Sequence, residues 1–259
     1  MNQYFIVKVG GKCLQDDETF SSQVAFANML GTYPIIVHGG RPQIDSLVKA
    51  RGIPIRGRKN DQRVTDKATL ECVVEALYSV NQKLVSDINQ YGGSAQSVAD
   101  QEVLYVRQME SELGFVGEPV GVNGKLLIDL IAMGKSPVMW CIGYDSMHQP
   151  HNVNGDRAVA ALVRHMGPEN FAMLTSVTST GGVLDLNGCL IPTINYVDID
   201  DLVKRDIVSG GMAEKLLQAK QLMKEVTARN SRFQIQIIGP SMPVYETLTN
   251  QRAGTRIIS

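Results

Sequence analysis

Tyr4-Phe5-Ile6-Val7-Lys8-Val9 runs straight into Gly10-Gly11-Lys12. Apart from Lys8, every residue of the first six is apolar or aromatic, the pattern of a central strand buried on both faces of a parallel sheet. A lysine near the carboxyl end of such a strand, ahead of glycines that let backbone amides approach a ligand, sits where open α/β sheets bind anions. Read alone, Lys8 could equally reach solvent from the strand end along its aliphatic stem. Its meaning therefore depends on what the rest of the chain brings to the same edge.

The chain has 259 residues, enough for one large α/β domain or two lobes with a sizeable core. Lysine and arginine number 25 against 26 acidic residues, so no basic field points to nucleic acid or to an anionic membrane surface. Small-molecule chemistry is the class that remains. Cys13, Cys72, Cys141 and Cys189 are far apart and form no C-x-x-C pair, so they read as reduced core thiols rather than a zinc ribbon or a dithiol site. The N-terminus carries no signal-peptide pattern and no apolar run approaches a membrane span, which places the protein in the cytoplasm.

In order along the chain, a second strand, Pro34-Ile35-Ile36-Val37, ends in His38-Gly39-Gly40-Arg41-Pro42. Pro42 suits the start of a helix running to about Arg51, with Gly52 past its end. The glycines thus lie at a helix N-terminus, a second candidate anion site. A polar segment from Arg56 to Arg63 leads to Thr65, which can cap a long helix. That helix keeps Leu70, Val73, Val74, Leu77, Leu84, Val85 and Ile88 on one face and ends before Gly92-Gly93. Arg63, next to the cap, can aim a planar guanidinium at a carboxylate. Residues 101–124 alternate and carry turn residues, as in a projecting hairpin. A helix from Leu126 to Met133 precedes a buried strand from Pro137 to Ile142. Next, His151-Asn152-Val153-Asn154-Gly155-Asp156 opens a helix from Arg157 to His165. Asn152, Asn154 and Asp156 point together if the segment is extended; alternatively the segment is an Asx turn in which Asp156 caps the helix. The remainder reads as a strand from Phe171 to Thr175, a small-residue loop from Ser176 to Gly182 and a hairpin turning at Asn187-Gly188. A helix near Ile199 to Lys204 follows, then Ser209-Gly210-Gly211-Met212 and a helix carrying Lys215 in its first turns. A strand from Ile235 to Ile238, a short helix after Pro243 and a last strand from Thr255 to Ile258 complete the chain. Low-complexity segments and solenoid-period repeats are absent. Strands alternating with helices predict an α/β fold, a three-layer αβα sandwich with a largely parallel central sheet. Two lobes are expected, residues 1–175 and 176–259.

Apart from Arg63, the candidates fall at strand-to-helix turns or helix starts, which share one edge of such a sheet. Two lysines, amide-rich turns and one aspartate suit phosphoryl transfer, which needs reactants held in line and dispersed negative charge stabilised. Neither G-x-x-x-x-G-K-[ST] nor the protein-kinase motif set occurs.

Taken together, Val7-Lys8-Val9-Gly10-Gly11, Val37-His38-Gly39-Gly40, Arg63-Val64-Thr65-Asp66, Asn152-Val153-Asn154-Gly155-Asp156 and Gly210-Gly211-Met212-x-x-Lys215 resemble the amino acid kinase family, and within it the acetylglutamate kinases. Leu113-Gly114-Phe115-Val116-Gly117-Glu118 and Gly254-Thr255-Arg256-Ile257 extend the likeness over nearly the whole chain. The resemblance implies transfer of the terminal phosphate of ATP, with Mg2+ held mainly by the nucleotide, to the side-chain carboxylate of N-acetylglutamate or a related acylated acidic amino acid. The product is an acyl phosphate of an arginine-type biosynthetic pathway. A carboxylate is already ionised near pH 7, so no general base is needed. By the same likeness, Lys8 and Lys215 neutralise the moving phosphoryl group and Asp156 holds both lysines. Gly10 and Gly11 offer amides to the phosphates; Gly39, Gly40, Arg63, Asn152 and Asn154 bind the acceptor. Ser176, Val177, Thr178, Ser179, Thr180 and Gly181, with Ile207, Val208, Ser209, Gly211 and Met212, line the nucleotide site. No metal is assigned to protein side chains.

Three departures bear on substrate. The family writes a third glycine where Arg41 stands, and a guanidinium cannot fill the space of a hydrogen atom without a remade pocket. Arg41 adds a charge for a more acidic substrate, swings into solvent or blocks the pocket. Thr175-Ser176-Val177 replaces Thr-Asp-Val on the nucleotide side, and Ser97-Val98-Ala99-Asp100-Gln101-Glu102 replaces a glycine-rich segment. Arg41 and Ser176 also motivate a second reading, a catalytically silent relative that binds an amino-acid ligand or a partner protein. Because only three residues precede the first strand, the resemblance implies a homodimer without the extra N-terminal helix of arginine-inhibited hexamers.

Overall fold

The computed structural model describes residues 4–15, 18–59, 62–242, 244–245, 247 and 253–259. Its strands are β1 (Tyr4–Val9), β2 (Ile35–His38), β3 (Arg58–Lys59), β4 (Gln62–Arg63), β5 (Ala95–Ser97), β6 (Leu104–Gln108) and β7 (Gly117–Val122). They continue as β8 (Ser136–Met139), β9 (Ile142–Tyr144), β10 (Pro150–Asn152), β11 (Phe171–Val177), β12 (Thr193–Asn195), β13 (Gln234–Ile238) and β14 (Thr255–Ile258). The helices are α1 (Thr19–Met29), α2 (Arg41–Ala50), α3 (Lys67–Gln90), α4 (Gly124–Ala132), α5 (Gly155–Met166), α6 (Ile199–Lys204) and α7 (Gly210–Val226).

Eight strands form the central sheet in the order β12-β14-β13-β11-β1-β2-β8-β5. Every neighbouring pair is parallel except β13 and β14. The chain order doubles back at β1, whose neighbours are β2 on one side and β11 on the other, so loops diverge there and leave a crevice at the strands' carboxyl ends. Alternation along β1 then decides what faces what. Val7 and Val9 belong to an apolar cluster with Phe20 and Val24 of α1, whereas Ile6 joins the opposite cluster with Val159 of α5 and Leu216 of α7. Lys8 shares the parity of Ile6, so its ammonium is delivered to the face that α5 and α7 cover. A charge near the carboxyl end of a buried strand is tolerated because those helices bring it a partner.

A second sheet, β10-β9-β6-β7, stands beside the first and contains the expected hairpin of β6 and β7. It is tied to the start of α3 through one close approach. Phe115 N–H donates to Thr65 O at 2.7 Å and Thr65 N–H donates to Leu113 O at 2.9 Å. Gly114, between them, has φ +70°, and a Cβ there would lie 2.2 Å from the Thr65 carbonyl oxygen.

Several expectations need correction. Asp66, not Thr65, caps α3, its carboxylate accepting from Thr69 N–H at 2.9 Å; Thr65 is fully buried and its hydroxyl donates to Arg63 O instead. The strand read over Pro137 to Ile142 is two, β8 in the large sheet and β9 in the small one, because the chain leaves one sheet at Trp140-Cys141 to enter the other. Ser176 and Val177 are not loop but the end of β11, paired with Lys8 and Val9 of β1. Helix α1 is absent from the sequence reading because its apolar residues Phe20, Val24 and Ala25 are interrupted by two serines, Ser21, which is buried, and Ser22, whose hydroxyl donates to Thr19 O. Cys13, Cys72 and Cys141 are buried as expected, but Cys189 is exposed. The helix expected after Pro243 lies partly outside the described residues.

Gly114→Ala combines left-handed backbone strain with a clash against backbone, and should destabilise the fold by about 3 kcal/mol or more, read as a lower urea midpoint at unchanged slope. A loss below about 0.5 kcal/mol would show that the small sheet is not held to the start of α3 by this contact.

Candidate active site

At the carboxyl edge of the large sheet the Lys8 ammonium lies 3.1 Å from Asp156 Oδ1. Lys215 Nζ donates to the same carboxylate at 3.1 and 3.3 Å and to Ser176 Oγ at 3.3 Å. These four side chains come from β1, the first turn of α5, the second turn of α7 and the end of β11. Asp156 is free for this role because Asn154 caps α5, its Oδ1 accepting from the N–H groups of Asp156 and Arg157 at 2.9 and 3.3 Å. The Asx-turn reading was thus right in kind, with Asn154 as the capping residue.

The cluster floors a cleft of about 370 Å³. Gly10, Gly11, Gly39 and Gly40 form one wall, where two turns touch backbone to backbone: a Cβ on Gly11 would lie 2.8 Å from Gly40 Cα and 2.9 Å from Arg41 N. Below them His38 is fully buried, and burial pushes its imidazole down to about 4 despite its hydrogen bond to Gly39 O. It therefore stays neutral, accepting at Nε2 from the Asn81 amide at 3.0 Å, and serves as a strut under the glycine turn. Cys141, whose thiol burial pushes up to about 12, is likewise inert, its Sγ 3.2 Å from His38 O.

At the other end Arg63, 10% exposed in its side chain, donates to Asp45 Oδ1 at 2.5 Å. Arg41, 63% exposed, lies 4.0 Å from the other oxygen of Asp45 one turn along α2. The cleft stays open because Arg41 leans outward along its own helix. Asn152 donates to Thr65 Oγ1 at 3.1 Å, which fixes its amide beside Arg63. Of the residues read for the nucleotide, Val177, Thr178, Ser179 and Gly211 also line the cleft, whereas Ser176, Thr180, Gly181, Ile207, Val208, Ser209 and Met212 are not among its lining residues. Val208 is buried and packs in the core; Gly181 lies against Gly239. Four charged or amide-bearing lining residues, Lys12, Arg58, Gln62 and Glu214, were not among the candidate site residues of the sequence. Lys12, directly after Gly10-Gly11, was the most accessible to sequence reasoning; the others enter through loop and helix geometry.

Residues 3–231 match the description of the amino acid kinase family. The chain is 31% identical over 275 aligned residues to an acetylglutamate kinase of Lawsonia intracellularis, covering 98% of this chain and 89% of that one. An acetylglutamate kinase of Pelagibacter ubique is 33% identical over 221 residues, covering 83% and 75%. The chain belongs to the amino acid kinase family. Among solved structures, that of smu.665 from Streptococcus mutans UA159 superposes with a TM-score of 0.84 at 23% identity, over 100% of this chain and 99% of that one, and so shares the fold.

Amino acid kinases transfer phosphoryl groups from ATP, and the electrostatics here suit an anion. Burial disfavours the Asp156 carboxylate, yet Lys8 and Lys215 outweigh it and hold the group well below the usual carboxylate range. Burial also opposes the Lys8 charge, but Asp156 more than restores it and the ammonium titrates above its ordinary value. Lys215 loses the contest: burial and then the neighbouring Lys8 charge lower it to about 8 despite Asp156. One carboxylate thus serves two ammonium groups, which leaves a positive charge suited to an anion. Among the described residues no group of three or more His, Cys, Asp or Glu side chains gathers as a metal site, and no helix is long and apolar enough to cross a membrane.

Because a bound polyphosphate raises the Lys215 value, nucleotide binding should take up protons only where free Lys215 is deprotonated: almost none at pH 6.5, about half a proton at pH 8 and close to one at pH 9. Affinity should correspondingly weaken above pH 8. Titration calorimetry of a non-hydrolysable ATP analogue in buffers of different ionisation enthalpy measures this, and proton release at pH 8 would refute it.

Proposed function

We propose that this chain phosphorylates the side-chain carboxylate of N-acetylglutamate or a related N-acylated acidic amino acid at the expense of ATP, giving ADP and an acyl phosphate, as a step of arginine-type amino-acid biosynthesis. The observation that carries the reading is the Lys8-Asp156-Lys215 cluster at the floor of the cleft. The acceptor carboxylate oxygen bonds to the γ-phosphorus while the bond from that phosphorus to the β,γ-bridging oxygen breaks, and ADP departs with the electron pair. No proton moves, so no base is required; Asp156 is committed to two lysines, and His38 is buried beneath the glycines.

The difficulty is then like-charge repulsion between two anions. Lys8 and Lys215 would flank the phosphoryl group, converting that repulsion into attraction where charge spreads over its equatorial oxygens. Asp156 is a positioning residue that keeps the two ammonium groups from separating. Arg63 and Asn152 would hold the acceptor's α-carboxylate and acylated amine, and the glycine turns would approach the phosphates without side chains in the way. Thr178, Ser179 and Gly211 support nucleotide binding at the same cleft. Mg2+ would travel on the nucleotide phosphates, as the described residues gather no carboxylate cluster for it. The alternative of a silent relative has less to rest on: Arg41 leans outward onto Asp45, and Ser176 keeps a contact with Lys215. We also propose a homodimer, for which the half-exposed Tyr78, beside a groove lined by Leu70, Val74, Phe115 and Pro150, offers an apolar face.

Purified protein should release ADP and form a hydroxylamine-trappable product only when both ATP and an acylated acidic amino acid are present. Lys8→Met and Lys215→Met should each lower kcat by about 10²- to 10³-fold with KM for the acceptor little changed. Absence of acceptor-dependent ADP release across a panel of acylated aspartates, glutamates and aminoadipates would sink the proposal. Light scattering checks the dimer, with a monomer or hexamer as the contrary result.

A further inference from the structure

Gln62 stands in the cleft wall immediately before Arg63, is only 3% exposed, and its side-chain Nε2 has no hydrogen-bond partner. Leaving a buried amide donor unpaired costs about 1–3 kcal/mol, so folded proteins rarely retain one. A ligand that completes the bond removes that penalty when it arrives. The neighbouring charge says what kind of ligand. Arg41 and Arg63 share one carboxylate, Asp45, and Arg63 takes the short contact at 2.5 Å while Arg41 sits at 4.0 Å. One negative charge cannot neutralise two guanidinium groups, and most of the Arg41 donor fork is unused by that distant contact. The carboxylates of the cleft lining, Asp156 and Glu214, stand on α5 and α7, away from the β4 and α2 segments that carry Gln62 and Arg41. An acetyl group would bring a methyl to this end of the cleft, and a methyl satisfies neither an amide donor nor a guanidinium.

We infer that Gln62 and Arg41 form a subsite for a carboxylate on the acceptor's amino substituent, so that the preferred acceptor is an acidic amino acid acylated by a dicarboxylic acid rather than by acetate. This rests on the proposed phosphorylation of an acylated acidic amino acid and narrows its substrate class. Gln62 and Arg41 are specificity-determining residues on this account. Neither takes part in the transfer of the phosphoryl group, whose atom balance is that given above.

The test compares N-succinyl-L-glutamate with N-acetyl-L-glutamate by hydroxylamine trapping, with titration calorimetry in the presence of a non-hydrolysable ATP analogue as an independent readout of binding. For the unmodified protein kcat/KM should favour the succinyl compound by about tenfold or more. Gln62→Leu and Arg41→Gly should each reduce that ratio by about tenfold, because each removes donors that only the succinyl carboxylate uses. Should Gln62→Leu fail to fold, Arg41→Gly carries the test, since its side chain is largely exposed. Equal or better use of the acetyl compound overturns the inference while leaving the proposed reaction standing, as does a variant that slows both compounds alike. If neither compound is turned over, the proposed reaction fails on these acceptors. Calorimetry then decides the subsite alone: saturable binding of N-succinyl-L-glutamate weakened about tenfold by Gln62→Leu supports it, and no binding refutes it.

Discussion

A single carboxylate, Asp156, holds two ammonium groups that would otherwise drive each other apart. Removed from water, two cations within a few ångströms of a common partner repel by an amount that rises as the local dielectric falls. The price of assembling such a cluster is visible in Lys215, whose charged form is weakened to the point of titrating near 8. What is gained is a floor with one surplus positive charge, preorganised before any ligand arrives. Electrostatic stabilisation of a dispersed anion is most effective when the donors need not reorganise during the reaction.

The sheet makes that cluster affordable in space. β1 lies between β2 and β11, and the parallel register sets Lys8 level with Ser176 on one side and Val37 on the other. Lys8 therefore points to the face covered by α5 and α7, where Asp156 and Lys215 stand in the opening turns of their helices. The Asn154 cap completes the arrangement. By satisfying the first amides of α5 it leaves the Asp156 carboxylate to the lysines rather than to its own backbone.

The acceptor end is built on different principles. Its side chains are held from the small sheet and the start of α3, through Thr65, which receives a hydrogen bond from Asn152 while its backbone joins the strand around Gly114. The small sheet is thus a second scaffold, and the geometry between acceptor and phosphoryl positions depends on how firmly it is fastened. Asp45 adds a further restraint by tying Arg63 to α2. Arg41 extends from the same helix toward the same aspartate, which is how the cleft accommodates a large residue without closing.

Much of this was legible from residues alone. The apolar run around one lysine, glycines after strands, and helices opening after Asp156 and after Ser209-Gly210-Gly211-Met212 determined an α/β fold with charged groups at one sheet edge, since strand burial and helix starts are local consequences of residue type. The chain exit at Trp140-Cys141, the helix at Thr19–Met29 and the choice of Asp66 over Thr65 as cap were not legible, because each depends on which surface a neighbour covers. So did the outward course of Arg41 and the unpartnered amide of Gln62. Sequence by itself settled which chemical groups are present and at which strand and helix ends they lie; only the tertiary structure decided which of them share a carboxylate and which are left without a partner, because hydrogen bonds and charge pairs are made across distances in space that chain spacing does not encode.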